Sequence, residues 1–142
     1  MKIENYLITN IVEYNYIFSR LDSYLSKKCL LFFIGELGSG KTSFIKQLLL
    51  HKYEFSNTTS PTFGIINTYA ISNTFIYHYD LYRINDSSEL DEIGFYNNLD
   101  IDAIHFVEWP EIIPKNVVKP DIIIDFETNS EERIISIKYF NE

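Results

Sequence analysis

Residues 30–42 of the chain read LLFFIGELGSGKT, and this stretch decides the fold. Its first five residues are a continuous apolar run, as expected of a strand that is buried on both faces of a sheet. Residues 35–42 match the pattern G-x-x-x-x-G-K-[ST] at every required position. Residues 43–50 then continue as a plausible helix. A strand, a glycine-rich loop and a helix in this order predict a phosphate-binding loop within an α/β domain.

The residue types in this loop suit nucleotide chemistry. Glycines let the backbone curl tightly and direct several N–H groups at one point, where the helix N-terminus adds partial positive charge. Lys41 can reach the β- and γ-phosphates, and the Thr42 hydroxyl can hold Mg²⁺. We therefore expect ATP and Mg²⁺ as ligands. The predicted nucleotide-binding segment is Gly35, Glu36, Leu37, Gly38, Ser39, Gly40, Lys41, Thr42 and Ser43.

The rest of the chain predicts further helices and strands around this loop. Apolar residues at spacings of three and four predict an amphipathic helix over residues 10–26. A capping-box pattern from Asp86 to Glu89 predicts a short helix that runs to about Asn97. The predicted later strands are residues 64–71, 74–79, 103–107, 122–126 and 134–139. Ser72 and Asn73 predict a tight antiparallel hairpin, and the last two strands look like a terminal hairpin around Asn129. The expected fold is a P-loop NTPase-like, three-layer α/β domain over residues 1–142, with a central mixed sheet.

Composition narrows the possible functions. The chain has 142 residues, of which 46% are hydrophobic, and it shows no repeat or linker. No apolar run is long enough to span a bilayer and no leader pattern is evident, so we expect a cytoplasmic protein without a membrane partner. The net charge of −8, with only 12 lysines and arginines, argues against direct tight binding of nucleic acid. The single cysteine, Cys29, and the histidines His78 and His105 are interpreted as core or strand-face residues.

Two predicted strands end in a carboxylate. Residues 75–79 run into Asp80, and residues 104–107 run into Glu108. Because ligands of α/β sheets bind beyond the carboxyl ends of the strands, these acids can hold Mg²⁺ or orient an attacking water. For each acid considered alone, the alternative is a surface residue that ends a strand or caps a helix. Either Arg83, which follows Asp80 closely, or Arg133, near the C-terminus, can pair with a phosphate, and a surface ion pair is the alternative for each.

Four segments, taken together, resemble one family. They are GELGSGKT at 35–42, SPTF at 60–63, HYDLYRI at 78–84 and VEWPE at 107–111. In order and spacing they are similar to the TsaE family, small P-loop ATPases of bacterial tRNA threonylcarbamoyladenosine synthesis. The resemblance implies a subunit that works with the partner proteins TsaB and TsaD. In the family TsaD transfers the threonylcarbamoyl group, so tRNA would be engaged only through the partner complex.

The resemblance also implies roles for individual residues. Lys41 would hold phosphate, Thr42 would hold Mg²⁺, and Glu108 and Asp80 would be the two acids of the site. Ser60 and Thr62 would belong to a switch-like segment near the γ-phosphate, and Arg133 would contact nucleotide.

The chain also departs from the family pattern. Glu36 stands where the family usually has Asp. Tyr14 stands in the register of a usual Thr, while Thr9 lies five residues earlier, so the adenine-side contact is open between Tyr14 and Thr9.

Two other functions compete with a hydrolytic ATPase. A small-molecule kinase would need an acceptor pocket and, as a rule, an arginine-rich lid, whereas this chain has three arginines. A non-hydrolytic nucleotide-binding switch would need only the loop. The presence of both Asp80 and Glu108 favours hydrolysis over binding alone.

Overall fold

The computed structural model describes residues 1–25, 28–58, 65–129 and 131–140. In this part of the chain, seven strands form one mixed sheet in the order β1-β7-β6-β2-β5-β4-β3. The strands are β1 Lys2–Ile8, β2 Cys29–Gly35, β3 Ile66–Ile71, β4 Thr74–Asp80, β5 Ile104–Glu108, β6 Ile122–Thr128 and β7 Arg133–Tyr139. The helices are α1 Tyr14–Leu21, α2 Lys41–Tyr53, α3 Glu89–Glu92 and α4 Phe95–Leu99, with 3₁₀ turns at Ile11–Glu13 and Pro110–Ile112.

The centre of the sheet is parallel and its flanks are antiparallel. Strand β2 lies between β5 and β6 and is parallel to both, and β4 is parallel to β5. The β3–β4 and β6–β7 pairs are antiparallel hairpins, as predicted. Ser72 and Asn73 both adopt positive φ in the first hairpin turn, the conformation that a two-residue turn needs. The predicted mixed sheet is confirmed, and its parallel centre brings the ends of β2, β4 and β5 to one edge.

Strand β1 was not predicted. Its apolar residues Ile3 and Leu7 are 49% and 56% exposed, while the polar Lys2 and Glu4 face inward and are partly buried. Because the apolar residues are on the exposed face and the polar residues on the inner face, hydrophobic alternation does not identify this segment as an edge strand. Glu4 is accommodated because Arg20, Tyr6 and Tyr139 all donate hydrogen bonds to it.

Two helix predictions were wrong in detail. The segment predicted as one helix over residues 10–26 begins as a 3₁₀ turn, whose Val12 N–H is capped by the Asn10 side chain, and its α-helix ends at Leu21. The helix predicted to run from the capping box to Asn97 is two short helices. They are separated by Gly94, whose φ of 74° breaks the helical hydrogen-bonding pattern. The predicted cap is present at Asp86, whose side chain accepts a hydrogen bond from the Ser88 N–H at 3.0 Å.

Helices cover both faces of the sheet, so the three predicted layers are present. On one face, α1 and α2 enclose an aromatic cluster of Tyr14, Phe18, Phe33, Phe44 and Phe126. On the other face, α3 and α4 pack Leu90 and Phe95 against Tyr79 and Val107. Cys29 is 2% exposed, and burial raises the pKa of its thiol to about 12, which confirms its assignment to the core. None of the helices in the described residues is long and apolar enough to cross a membrane.

Candidate nucleotide site

The glycine loop lies between the carboxyl end of β2 and the N-terminus of α2. Gly40 is the residue that caps α2, and its φ of 106° is one that side-chain-bearing residues rarely adopt. A Cβ at Gly40 would lie only 3.0 Å from Nη1 of Arg133. The backbone conformation therefore favours glycine here, and the absence of a Cβ lets the Arg133 guanidinium pack closely against it.

Lys41 is folded back onto its own loop. Its side chain is 5% exposed, and its ammonium donates to the Gly35 carbonyl and, at 3.1 Å, to the Glu36 carbonyl. The ammonium also lies 4.0 Å from the centre of the Trp109 ring. Burial lowers the pKa of Lys41, while the charges of Glu108, Glu111 and Asp80 oppose that shift. A buried cation held only by carbonyls and a ring is well suited to exchange these partners for phosphate oxygens.

Ser39 supplies an unsatisfied hydroxyl at the centre of the loop. It is 2% exposed, and its Oγ has no hydrogen-bond partner among the described residues. A Cβ at Gly35 would lie 2.6 Å from this oxygen, so the loop is wound closely around it. A buried polar atom without a partner is costly unless a ligand satisfies it, which fits a phosphate cradle.

Thr42 and Glu108 are brought together from positions 66 residues apart. The Thr42 hydroxyl lies 2.9 Å from Oε1 and 3.1 Å from Oε2 of Glu108. Thr42 belongs to the first turn of α2, and Glu108 ends β5, the parallel neighbour of β2. Two of the three residues predicted to hold a metal ion are therefore direct neighbours, and Glu108 is 2% exposed.

Asp80 ends the next strand of the sheet. It is the register partner of Glu108 in the parallel β4–β5 pair, so both carboxylates lie at the same edge and on the same face. Its Oδ1 accepts a hydrogen bond from the Tyr82 N–H at 3.1 Å. Burial, together with the charge of Glu108, raises the pKa of Asp80. The two predicted acids thus influence each other electrostatically.

Sequence reasoning missed the role of His78. This histidine is fully buried, and its Nε2 lies 2.6 Å from Oε2 of Glu108, while the Tyr69 hydroxyl lies 3.4 Å from its Nδ1. The signal that could have found it is strand periodicity, since His78 lies two residues before Asp80 and therefore shares its face. His105, in contrast, lies on the other face and bonds the Tyr79 hydroxyl and the Ile101 carbonyl, as expected of a core residue.

Trp109 covers the site from the end of β5. It adopts the left-handed conformation with φ of 59°, which is strained for a bulky residue, and it precedes a proline. Its ring packs against Tyr82, with the ring centres 4.8 Å apart, as well as against Lys41. In this conformation the indole lies against the Lys41 ammonium.

Arg133 approaches the loop from the opposite side. Its Nη1 donates to the Tyr14 hydroxyl at 2.9 Å, and its guanidinium packs on Gly40. With Thr9 and Asn10, Arg133 lines a cavity of about 230 Å³. Tyr14 itself is fully buried in the core, whereas Thr9 is exposed at this cavity. Arg83, the other arginine considered, is an exposed residue beyond β4.

The remaining predicted site residues lie around the loop, or outside the described part of the chain. Glu36 and Leu37 are exposed on the loop, and Ser43 follows Thr42 in α2. Ser60 and Thr62 lie outside the described residues. In the described ranges, no three His, Cys, Asp or Glu side chains cluster as a metal site of their own. One hydroxyl and two carboxylates are instead the kind of partial donor set that Mg²⁺ uses when phosphates complete its coordination.

Comparison with known proteins identifies the family. The model of the family described as "Threonylcarbamoyl adenosine biosynthesis protein TsaE" matches residues 8–135. The chain belongs to the TsaE family. That family is one of threonylcarbamoyladenosine biosynthesis, which agrees with the four segments that the sequence shares with it.

Individual TsaE proteins support this assignment. The protein from Rickettsia felis is 42% identical over 105 residues, which are 72% of this chain and 61% of the relative. The protein from Haemophilus influenzae is 30% identical over 82% of this chain and 74% of the relative. The chain thus spans only about three fifths of the length of some Rickettsia relatives, 61% and 59% in two cases.

A solved structure has the same fold. The crystal structure of YdiB from Bacillus subtilis covers 97% of this chain and 86% of its own, with a TM-score of 0.72 and 23% identity. The P-loop NTPase-like α/β fold predicted from the sequence is therefore confirmed.

Proposed function

We propose that the chain is a Mg²⁺-dependent ATPase that serves the threonylcarbamoyladenosine modification of tRNA together with TsaB and TsaD. The observation that carries the proposal is the contact between Thr42 and Glu108 at the end of the glycine loop, beside Lys41. A hydroxyl, a carboxylate and a cation at the N-terminus of one helix are the groups that phosphoryl transfer requires.

The loop residues bind the phosphates in this proposal. Lys41 leaves the Gly35 and Glu36 carbonyls and pairs with phosphate oxygens, and the Ser39 hydroxyl gains the partner that it lacks among the described residues. The loop N–H groups and the N-terminus of α2 add partial positive charge. Positive potential is thereby concentrated at the loop of a chain whose net charge is −8.

The metal donors would be Thr42, Glu108 and Asp80. When bound there, Mg²⁺ neutralises phosphate charge and favours attack on the terminal phosphorus. Glu108 can also accept a proton from an attacking water or orient it, because its carboxylate is held from two sides by Thr42 and His78. Because this carboxylate is 2% exposed, bulk solvent screens its charge only weakly.

The nucleoside would occupy the side of the loop where Arg133 lies. The cavity beside Arg133 is lined by Ile8, Thr9, Asn10, Ile11 and Glu131, which provide apolar contact and hydrogen-bonding groups. The buried position of Tyr14 supports Thr9, and not the Tyr14 ring, as the adenine-side contact.

Partner proteins would carry out the steps that act on tRNA. The proposal assigns tRNA binding and group transfer to the TsaB–TsaD complex, since the negative net charge disfavours direct tRNA binding. Hydrolysis is then slow for the chain alone and faster in the complex. If nucleotide state sets the affinity for the partners, the partners must change nucleotide affinity by the same factor.

The test is turnover of ATP by the purified chain, with Mg²⁺ or with EDTA, and with or without TsaB and TsaD. Equal release of ADP and inorganic phosphate, dependent on Mg²⁺ and stimulated by the partners, supports the proposal. ADP formed only when an acceptor is added and without free phosphate would indicate a kinase. Tight ATP binding with no turnover in any mixture would indicate a nucleotide-binding switch.

A second measurement addresses the coupling to partners. The TsaB–TsaD complex is titrated with the chain in the presence of a non-hydrolysable ATP analogue, ADP or no nucleotide. We expect the affinities to differ among the three states. Equal affinity in all three, with no stimulation of turnover, would contradict the partner mechanism.

A further inference from the structure

Arg133 is held at its backbone but carries a long side chain. It is the first residue of β7 and pairs with Ile8 of β1 on one side and Thr128 of β6 on the other. These strands position its Cα, yet they leave the guanidinium free to sample many rotamers unless another group holds it.

Tyr14 is that other group. Its hydroxyl accepts a hydrogen bond from Nη1 of Arg133 at 2.9 Å. Its ring is fully buried, with edge-to-face or tilted contacts to Phe44 at 5.2 Å and Phe18 at 5.8 Å between ring centres. The acceptor oxygen is therefore presented from a closely packed core, where it cannot move with the arginine.

The same contacts tie Tyr14 to the phosphate loop. Phe44 belongs to α2, the helix whose first residues follow Gly40, and the guanidinium held by Tyr14 packs on Gly40 itself. Arg133 thus lies between the loop and the cavity that contains Thr9 and Asn10. Tyr14 is the one hydrogen-bond partner of this guanidinium among the described residues, so its other N–H groups can donate to a bound phosphate or ribose.

We propose that Tyr14 is a positioning residue for nucleotide binding, whose hydroxyl holds the Arg133 guanidinium against Gly40 before the nucleotide arrives. Ligand binding then does not have to order a flexible arginine, which improves affinity without any contact between Tyr14 and the nucleotide. The inference rests on the proposed ATP-binding function, and it adds a residue that the phosphate-loop motif does not contain.

The test is Tyr14→Phe, which keeps the buried ring and removes only the hydroxyl. Calorimetry with ADP and a non-hydrolysable ATP analogue should give dissociation constants about five- to tenfold higher than wild type, the effect expected for loss of one hydrogen bond of typical net strength. The KM for ATP should rise by a similar factor, with a much smaller change in kcat. The matched control is Tyr79→Phe, which loses a buried hydroxyl bonded to His105 on the other face of the sheet and should bind nucleotide as wild type does.

A double-mutant cycle separates positioning from general destabilisation. Arg133→Ala should weaken binding at least as much as Tyr14→Phe, and the double variant should be no weaker than Arg133→Ala alone. Additive losses, or wild-type affinity for a folded Tyr14→Phe, would overturn the inference while leaving ATP binding intact. Failure of the wild-type chain to bind either nucleotide would instead refute the proposed function.

Arg133→Lys is the second variant if Tyr14→Phe does not fold, because it leaves the core untouched. It should show the same loss of affinity, since the lysine ammonium cannot donate to Tyr14 and to the ligand at once as the forked guanidinium can. Wild-type affinity for Arg133→Lys would overturn the inference.

Discussion

The hydroxyl of Thr42 and the carboxylate of Glu108 are hydrogen-bonded to each other, at 2.9 Å and 3.1 Å to the two carboxylate oxygens. Lys41 is likewise bonded to carbonyls of its own loop. Thr42, Glu108 and Lys41 therefore have hydrogen-bond partners within the site, whereas the Ser39 hydroxyl has none among the described residues. Binding of ATP must exchange these internal bonds for bonds to the ligand, so the Lys41 ammonium and the Glu108 carboxylate are held in place before they bind it.

Replacement of Lys41 should abolish nucleotide turnover without unfolding the protein. Lys41→Ala removes the cation proposed to pair with the phosphates, and we expect turnover to fall by about a hundredfold or more, as for loss of a key electrostatic contact. The melting temperature should not fall much, since the variant also removes a buried charge. Lys46→Ala, an exposed lysine of the same helix, is the control and should behave as wild type. Normal turnover by a folded Lys41→Ala protein would remove Lys41 from the site.

Neutralisation of Glu108 should separate binding from chemistry. Glu108→Gln keeps the shape and can still contact Thr42, but it loses the charge that attracts metal and accepts protons. We expect kcat to fall by about a hundredfold while ATP affinity changes only a few-fold, the pattern of a lost transition-state interaction. Glu111→Gln changes an exposed acid three residues later and serves as the control. Unchanged kcat for Glu108→Gln would make this acid structural.

Trp109 should report nucleotide binding by its fluorescence. It is the only tryptophan of the chain, and the Lys41 ammonium lies 4.0 Å from its ring centre. Movement of Lys41 onto phosphate removes a charge from the indole face, so addition of ATP and Mg²⁺ should change the emission intensity or wavelength. In Lys41→Ala the unliganded spectrum should already differ from wild type, and the response to ATP should vanish. A constant wild-type spectrum, under conditions where calorimetry detects binding, would contradict this arrangement.

Glu4 should make stability depend on acid pH. Its burial would raise the pKa of the carboxyl, but hydrogen bonds from Arg20, Tyr6 and Tyr139 prevail and lower it from 4.5 to about 2. Because the folded-state pKa is the lower one, the stabilisation is fully present above about pH 4.5 and is lost as the pH falls towards 2. Glu4→Gln should lower the free energy of unfolding by about 1 kcal/mol at pH 7, after allowance for solvent screening, and by much less near pH 2.

Urea unfolding at pH 7 and at successive acid pH values measures this difference. Glu127→Gln, at an exposed position of β6, is the control and should be nearly neutral at each pH. If Glu4→Gln and wild type lose stability in parallel as the pH falls, Glu4 is not the group responsible.

Much of the fold follows from local signals in the sequence. Local sequence was enough to predict three features: the buried strand β2, the glycine loop and the turn at Ser72 and Asn73. Each of these conformations depends on backbone sterics or burial within a few residues. Helix ends and β1 were predicted poorly. Gly94 interrupts a segment that was predicted as one continuous helix. Strand β1 was missed because its apolar residues Ile3 and Leu7 are exposed, so hydrophobic periodicity does not identify it as a strand.

The sequence by itself determined the loop, the acids at two strand ends and the family. Those features are local patterns, and Asp80 and Glu108 could be placed at one edge because parallel strands share an edge. Only the tertiary structure decided which groups contact them. The bonds of Glu108 to Thr42 and His78, and of Tyr14 to Arg133, join residues 66, 30 and 119 positions apart. Such contacts depend on strand order, register and core packing, which arise from the whole chain; strand periodicity can place His78 on the face of Asp80, but it cannot show that His78 contacts Glu108.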